Sequence, residues 1–564
     1  MGIIQSVRVG VTGVLRRYCS WRLLFPVFLG VLFGFGDEVS VRRGRLDCYS
    51  LTLYGKMLVF AVLFAVMFAL VERLAHILTE RERLDARPTF MFDWSPASIL
   101  VGFAGIAVCW LPYLVLLFPG VYWSDTSRQL VMYYGGEPIM DQHPFFDTYL
   151  FGWFADLGQL VFSNRLLGLY LLIVIQCFGM AALFSVMTSY IKRIGAPQWL
   201  CWTVYAVVSL FPLFPIMFSS LAKDTINALF VVPFMMLVAE IVRSQGACLR
   251  RPGLAALLVV DSLLMCLTKK TCVYIVVAAL LALCAIRFGA KLRLFLAGTA
   301  AALVAVMFAL IPNVVFPLLS IEPGGKQEMI PFIAQQLAHD LKYESESFSD
   351  EDRAIIDGFF EYDSTAMGER YEPFQADAVK GNFSRDESSL TDVLGLWLRK
   401  TVEHPGGHLE AWLGISQGWI SFHSKGDKPG YLLPYFSSNW YDERVTSYIQ
   451  WPEETTLNRT VQIVYQSIQS VPVVNVLFFR STWATVLPFL LCYMACGLRR
   501  GERKRAWLVL TPLLVSTATL FIAGVSGTGG EPTRYVFTSM IMIPVVAGFL
   551  LRQQRECATD MVEA

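Results

Sequence analysis

Twelve apolar runs punctuate this chain, near positions 21–36, 55–76, 98–118, 166–190, 199–218, 225–242, 254–268, 272–287, 294–319, 480–498, 506–524 and 535–551. In a hydrocarbon layer no water is present to pair with backbone amides and carbonyls, so a run of this kind must coil into a helix. Most of the runs are near the length that crosses such a layer. They predict an all-α polytopic membrane protein with about twelve transmembrane helices. With 55% hydrophobic residues over 564 positions, a soluble enzyme is excluded.

Charge sorts the connections into two sets. Arg81/Arg83/Arg87, Lys192/Arg193, Arg243/Arg250/Arg251, Arg287/Lys291/Arg293 and Arg499/Arg500/Arg503/Lys504/Arg505 fall on one side of a twelve-span arrangement, with Arg8, Arg16, Arg17 and Arg22 ahead of the first run. The positive-inside rule makes that side cytoplasmic. No small-x-small cleavage site follows the first run, which reads as a retained signal anchor. The other side receives a loop at 119–165, short turns at 219–224, 268–271 and 525–534, and a polar insert at 320–479. The net charge of +1 hides a separation, because the insert holds 24 of the 45 acidic residues against 12 Lys and Arg. Such an insert suits an aqueous, extracytoplasmic compartment and argues against nucleic acid as a partner.

Four regions follow: N-terminal spans and a cytoplasmic loop over 1–97, a transmembrane core over 98–319, an α-rich extracytoplasmic domain over 320–479, and C-terminal spans with a cytoplasmic tail over 480–564. The insert opens on the turn signal Glu322-Pro323-Gly324-Gly325 and continues through helical acidic stretches at 331–343 and 349–360. It contains no cysteine, so neither disulfides nor a CxxC metal site organise it. Within the loop 119–165, the apolar part from Phe145 to Phe162 is broken by Asp147 and Asp156 and fits an interfacial helix better than a thirteenth span.

The second set of connections carries the residues that could do chemistry. The loop reads Trp123-Ser124-Asp125-Thr126-Ser127-Arg128-Gln129 and then Asp141-Gln142-His143-Pro144. A carboxylate beside a span end, with a second carboxylate and a His soon after, could bind an acceptor hydroxyl and take its proton. Equally, Ser124-Asp125 could cap a helix and Asp141 close a turn. Lys223-Asp224 joins two apolar runs, where an ion pair is costly without a partner or ligand, although Asp224 could cap its helix while Lys223 snorkels outward. Lys269-Lys270 and Arg534 bring cations to the same level, against the charge bias of that side. A lipid-carrier phosphate would sit there, with Arg as a bidentate grip and Lys as a point charge; pairing with Glu531, Asp224 or headgroups is the structural alternative. No P-loop, GxGxxG, HExxH or DxD is present, so a cytoplasmic nucleotide donor is not expected.

The order Pro119-Gly120, Asp125, Gln129, Asp141-x-His143-Pro144, Lys223-Asp224, Lys270, a late insert and Arg534-Tyr535 resembles the GT-C superfamily of polytopic glycosyltransferases. More narrowly, the chain is similar to an uncharacterised bacterial membrane family grouped near them, through Lys326-Gln327, Gln335-Gln336-Leu337-Ala338, Asp377-Ala378-Val379-Lys380 and Glu403-His404-Pro405. The likeness spans roughly 98–551, and departs at Gln142, where a second His is expected, and at Lys270, where Arg is expected. It implies a GT-C-like enzyme of the bacterial plasma membrane that passes a sugar from a polyprenyl-phosphate donor to an envelope glycan, lipid or protein acceptor, outside the cell. On that likeness the catalytic carboxylate is Asp125 or Asp141; Asp125 is read as the general base, Asp141 as a second carboxylate or acceptor binder, and His143 as orienting one of them. Lys223, Lys269, Lys270 and Arg534 would hold the donor phosphate, and Gln129, Asp224, Tyr535, Asp377 and Lys380 would support the acceptor side. A divalent metal ion has room in this scheme, with no ligands assigned.

Two rivals stand beside it. A transporter or flippase of a lipid-linked glycan would use the same cations as a path and would place charge near mid-depth, where Asp261 is the clear carboxylate. A non-catalytic envelope-assembly protein would tolerate loss of Asp125.

Overall fold

The structure is a computed structural model. It describes residues 21–84, 90–286, 289–385, 387–423, 430–522 and 532–563, with side chains as far as Arg552. A helix forms in each of the twelve apolar runs. Eight helices are long and apolar enough to cross a membrane: Trp21–Val41, Leu51–Leu84, Pro96–Leu116, Arg165–Arg193, Lys223–Arg243, Ala290–Leu319, Arg500–Ile522 and Pro532–Arg552. Four shorter apolar helices, Gln198–Leu210, Pro252–Thr268, Cys272–Leu283 and Thr482–Cys496, fill the remaining runs. This is a multi-pass helical membrane protein.

In chain order the helices used below are α1 (Leu24–Val41), α2 (Leu51–Leu84), α3 (Pro96–Leu116), α4 (Ser124–Tyr133), α5 (Phe145–Phe162), α6 (Arg165–Arg193), α7 (Gln198–Leu210), α8 (Leu213–Phe218), α9 (Lys223–Arg243), α10 (Pro252–Thr268), α11 (Cys272–Leu283) and α12 (Ala290–Ala305). A π-helical stretch, Val306–Val315, prolongs α12 around Pro312, which has no amide hydrogen to offer the ladder. The later ones are α13 (Pro331–Tyr343), α14 (Leu390–Glu403), α15 (Pro405–Ser416), α16 (Thr456–Gln469), α17 (Leu487–Cys496), α18 (Arg500–Ile522) and α19 (Pro532–Glu563). The run 199–218 is not one helix, since Pro212 separates α7 from α8.

Small residues set the close crossings. Gly30 and Gly34 on α1 face Ala61 and Met57 of α2 so closely that an added Cβ would lie 2.4 Å from each, a small-x-x-x-small contact of the kind that joins helices in lipid. Helix α9 is the hub, packing on α6, α10, α18 and α19. Of the eight, α9 and α19 are the most deeply buried, so both are interior helices.

The insert joins two cores. Residues from Ile330 to Ala411 form their own, in which Leu337, Phe359, Phe360, Val393 and Leu396 are buried. Two of its helices start on reciprocal side-chain caps: Ser349 with Asp352, and Ser389 with Asp392 ahead of α14. The later part, including Trp419, Leu432, Trp451 and Tyr465, packs into the main helical core. A pair of two-residue strands, β1 (Val121–Tyr122) and β2 (Ser220–Leu221), runs parallel, with Val121 opposite Ser220 and Tyr122 opposite Leu221.

Candidate functional site

Five helix starts bring titratable residues to one place. Asp125 is the second residue of α4, Lys223 the first of α9 and Arg534 the third of α19; His143 precedes α5, and Lys269 and Lys270 precede α11. The β1–β2 pair fixes the starts of α4 and α9 side by side. Trp123 seals the junction, stacked on Tyr435 at 4.3 Å with its indole N–H donating to Ser220 Oγ at 3.1 Å. Helix α5 is set by a tight turn into α6, where Ser163 takes a left-handed conformation and Asn164 accepts from the Leu166 and Leu167 amides. Gly158 and Gly168 then meet backbone to backbone, a Cβ on Gly168 falling 1.9 Å from the Phe154 carbonyl oxygen.

One oxygen of Asp125 lies at the centre. Arg534 Nη1 donates to Asp125 Oδ2, Lys223 Nζ lies 2.9 Å from the same oxygen, and His143 Nδ1 is 3.7 Å away. Lys223 Nζ also stands 3.4 Å from His143 Nδ1. The capping alternative for Asp125 does not hold, because α4 has no side-chain cap at its start and the carboxylate turns to the cations instead. Nor does Asp224 cap α9; it receives Lys269 Nζ at 2.6 Å, while Lys269 also donates to Thr538 Oγ1 at 3.2 Å. Lys270 pairs with Asp141 Oδ2 at 2.7 Å and donates to the Asp141 carbonyl. The Tyr535 hydroxyl accepts from Arg534 Nη2 at 3.2 Å, and its ring lies 5.8 Å from Lys269 Nζ. Of the structural partners considered for Arg534, Asp224 Oδ2 lies 4.0 Å from its Nε, and Glu531 lies with the rest of the 525–531 turn outside the described residues.

Exposure falls along this cluster. Side-chain accessibility is 44% at Lys270, 15% at Asp125 and Lys223, and 1% at Asp224. A ligand therefore reaches the Asp125–Lys223 contact before the Asp224–Lys269 pair, which braces α9 against α19 from below. Burial alone would raise the Asp125 carboxyl, but Arg534 and then Lys223 outweigh it and hold Asp125 well below the ordinary carboxylate range. Asp141 moves the other way, since burial raises it more than Lys270 lowers it. Burial, with Lys223, Arg534 and Arg128 nearby, takes His143 down to about 3 despite Asp125, leaving a neutral imidazole. Two carboxylates pushed apart beside a neutral His are a pattern that acid–base sites share.

Gln129 and the insert residues occupy two different positions. Gln129 is fully buried and donates to Thr148 Oγ1 on α5 at 3.1 Å. Asp377 and Lys380 stand at the rim: Lys380 Nζ bonds Asp377 at 2.9 Å and Glu328 at 2.6 Å, Glu328 accepts from Gln142 Nε2 at 3.1 Å, and Gln142 Oε1 accepts from Arg128 at 3.1 Å. Gln142, at the departure from the expected His, thus tethers the insert to the first loop. Glu328 was not singled out in the sequence, nor was Asp147 as a site residue. Asp147 is fully buried on α5 with neither oxygen hydrogen-bonded, and burial pushes its carboxyl well up, above the effect of Lys223 nearby. The only sequence signal for it was a carboxylate interrupting an apolar run. Among the described residues no group of three or more His, Cys, Asp and Glu side chains is arranged to hold a metal ion.

Fold and site together define a multi-pass helical membrane protein with a buried cluster of ion pairs where helix starts converge. The chain belongs to a family of unknown function, DUF6020, whose model matches residues 138–564. Asp141, His143, Lys223, Lys269, Lys270 and Arg534 lie inside the match, and Asp125 and Gln129 precede it. No curated protein and no solved structure matches the chain.

Proposed function

We propose that this protein is a GT-C-like glycosyltransferase of the bacterial plasma membrane, with twelve spans, a site on the extracytoplasmic face and the insert as acceptor platform. It takes a sugar from a polyprenyl-phosphate donor and passes it to an envelope glycan, lipid or protein. The observation that carries this reading is the meeting of one reachable carboxylate, Asp125, with Lys223 and Arg534 at the N-termini of α4, α9 and α19. Helix N-termini and fixed cations favour an anion, and a lipid phosphate is the anion available at the end of a membrane span. Charge that develops on a departing phosphate is stabilised by donors already in place.

Turnover by purified protein in nanodiscs, supplied with a panel of short-chain prenyl-phosphate sugars and with bacterial envelope extract as acceptor, is read as release of prenyl phosphate. Asp125→Asn keeps the side-chain size and removes the base, and turnover should fall by on the order of 10²–10⁴. Absence of turnover with every donor, or full turnover in Asp125→Asn, overturns the reading. Asp261, 4% exposed on α10 with Oδ2 lacking a hydrogen-bond partner, favours the flippase as the second reading. Movement of a labelled prenyl-phosphate glycan across vesicles that is lost in Asp261→Asn but kept in Asp125→Asn selects it.

A further inference from the structure

The cations that would receive a phosphate are already occupied. Asp125 Oδ2 takes both Arg534 Nη1 and Lys223 Nζ, so the carboxylate sits where a ligand oxygen would gain most. Two anions cannot share that contact without strong repulsion in a partly desolvated site. Nor can a carboxylate gripped by two cations serve well as a base, because its lone pairs are engaged and proton binding must break both contacts. Resting on the glycosyltransferase reading above, we infer that the donor phosphate displaces Asp125 from Lys223 and Arg534, so that donor binding itself releases the base.

The neighbours suit such an exchange. Arg534 keeps Tyr535 Oη at 3.2 Å and the Trp123 ring at 5.8 Å when the carboxylate leaves, and Lys223 keeps His143 Nδ1 at 3.4 Å. Both cations stay aimed at the vacated position. Lys269 and Lys270 have their own carboxylates, Asp224 and Asp141, so they can remain paired throughout. Asp125 is 15% accessible, enough for an incoming anion to make first contact.

The released carboxylate then has work to do. It accepts the proton of the acceptor hydroxyl as that oxygen's electron pair forms the bond to the anomeric carbon. The bond from the anomeric carbon to the phosphate oxygen breaks, and its electron pair stays on the phosphate, which leaves with one more negative charge than it brought. Lys223 and Arg534 hold that charge. When prenyl phosphate departs, Asp125 gives its proton to water and returns to the cations.

Equilibrium binding of radiolabelled farnesyl phosphate to the full-length protein in nanodiscs tests the exchange. Asp125→Asn and Asp125→Ser should each bind the probe about tenfold more tightly than the unaltered protein, since a charge-assisted contact no longer has to be broken. Arg534→Gln should bind more weakly by a similar factor. If Arg534→Gln weakens binding while neither Asp125 variant tightens it, the phosphate sits beside Asp125 and the exchange is wrong, though the phosphate site survives. If no version binds the probe in an Arg534-dependent way, the glycosyltransferase reading falls with it. Should both Asp125 variants fail to fold, the unaltered protein decides. Carbodiimide labelling of Asp125, read by peptide mass, rises severalfold on saturation with farnesyl phosphate if the carboxylate is released, and unchanged or reduced labelling overturns the exchange.

Discussion

At the scale of single residues, the charges are more informative than the apolar positions. Lys269, Lys270 and Arg534 stood out in the sequence because they oppose the charge bias of their side, and Lys223 because a Lys-Asp pair between two apolar runs is costly alone; all four join one cluster. Their partners were not legible, because Asp125 and Arg534 are 409 positions apart and no local pattern links them. His143 offers a test in pH. Its folded value of about 3 lies below the ordinary histidine value of 6.5, so between those values the unfolded chain binds a proton that the folded protein refuses. Stability should therefore fall as pH drops through that window, by about 1.4 kcal/mol per pH unit from this group alone. Asp125, well below the usual range, stays ionised through most of it. Denaturant midpoints of the unaltered protein and His143→Asn, measured between about pH 4 and 7, should diverge, with the variant showing the shallower slope.

At the scale of elements, helix existence was legible and helix geometry was not. An apolar run announces a helix, but the separation of α7 from α8 at Pro212 and the π-helical stretch after α12 depend on where freed backbone groups find new partners. The helix expected over 331–343 is α13, and that over 349–360 shortens to Asp350–Asp357, because a turn begins at Gly358. The Gly158–Gly168 contact carries a prediction. Gly168→Ala would drive a methyl group into the Phe154 carbonyl and push α5 from α6, at a cost of about 1–3 kcal/mol. Since His143 leads into α5, probe binding at the Asp125 cluster should weaken together with the melting temperature. Gly179→Ala, on the same α6 with its nearest neighbour at 3.5 Å, should leave both unchanged.

A second element-scale prediction concerns the buried network that fastens the insert to the α1–α2 connection. His339 bonds Asp340 and Glu410 at 3.1 Å each, His408 bonds Asp340 at 3.0 Å, and Glu410 accepts the Leu46 amide at 2.6 Å. Burial would lower His339, but Asp340 and Glu410 raise it above 6.5; burial would raise those two carboxyls, but His339 leads the contacts that lower both. The His339 contribution is thus complete below 6.5 and lost as pH rises through its raised value, whereas the carboxylates' contribution is lost in acid. Hydrogen exchange at Leu46, corrected for intrinsic rate, should accelerate on the alkaline side, and His339→Gln should remove the alkaline step. This clasp was not legible in the sequence, since its members lie in three separate segments and read as ordinary polar positions.

At the scale of the molecule, the multi-pass helical body was plain from hydropathy, while the division of the insert between two cores was hidden. The aromatic content from Trp397 to Trp440 suits packing on the membrane surface or lining a sugar-binding groove, whereas Trp419 is buried in the main helical core. Orientation is tested by labelling. In protein with Cys48 replaced by Ser, Ser345→Cys in the insert should react with an impermeant maleimide added to intact cells, and Gln245→Cys after α9 should react only once the membrane is opened. Both side chains are exposed, so silence at a site reports its compartment. The reverse pattern would turn the protein over and move the Asp125 cluster to the other face.

The two-residue ladder between β1 and β2 works as a gauge. Val121 meets Ser220 and Tyr122 meets Leu221, and from those rungs the chain runs only a few residues to Asp125 on one side and to Lys223 on the other. A strand advances about 3.3 Å per residue, so a slip of a single rung would carry the ammonium out of the carboxylate's reach. One residue inserted before Ser124 would therefore disarm the cluster while leaving every charge in the chain, a lesion that no inventory of side chains would reveal.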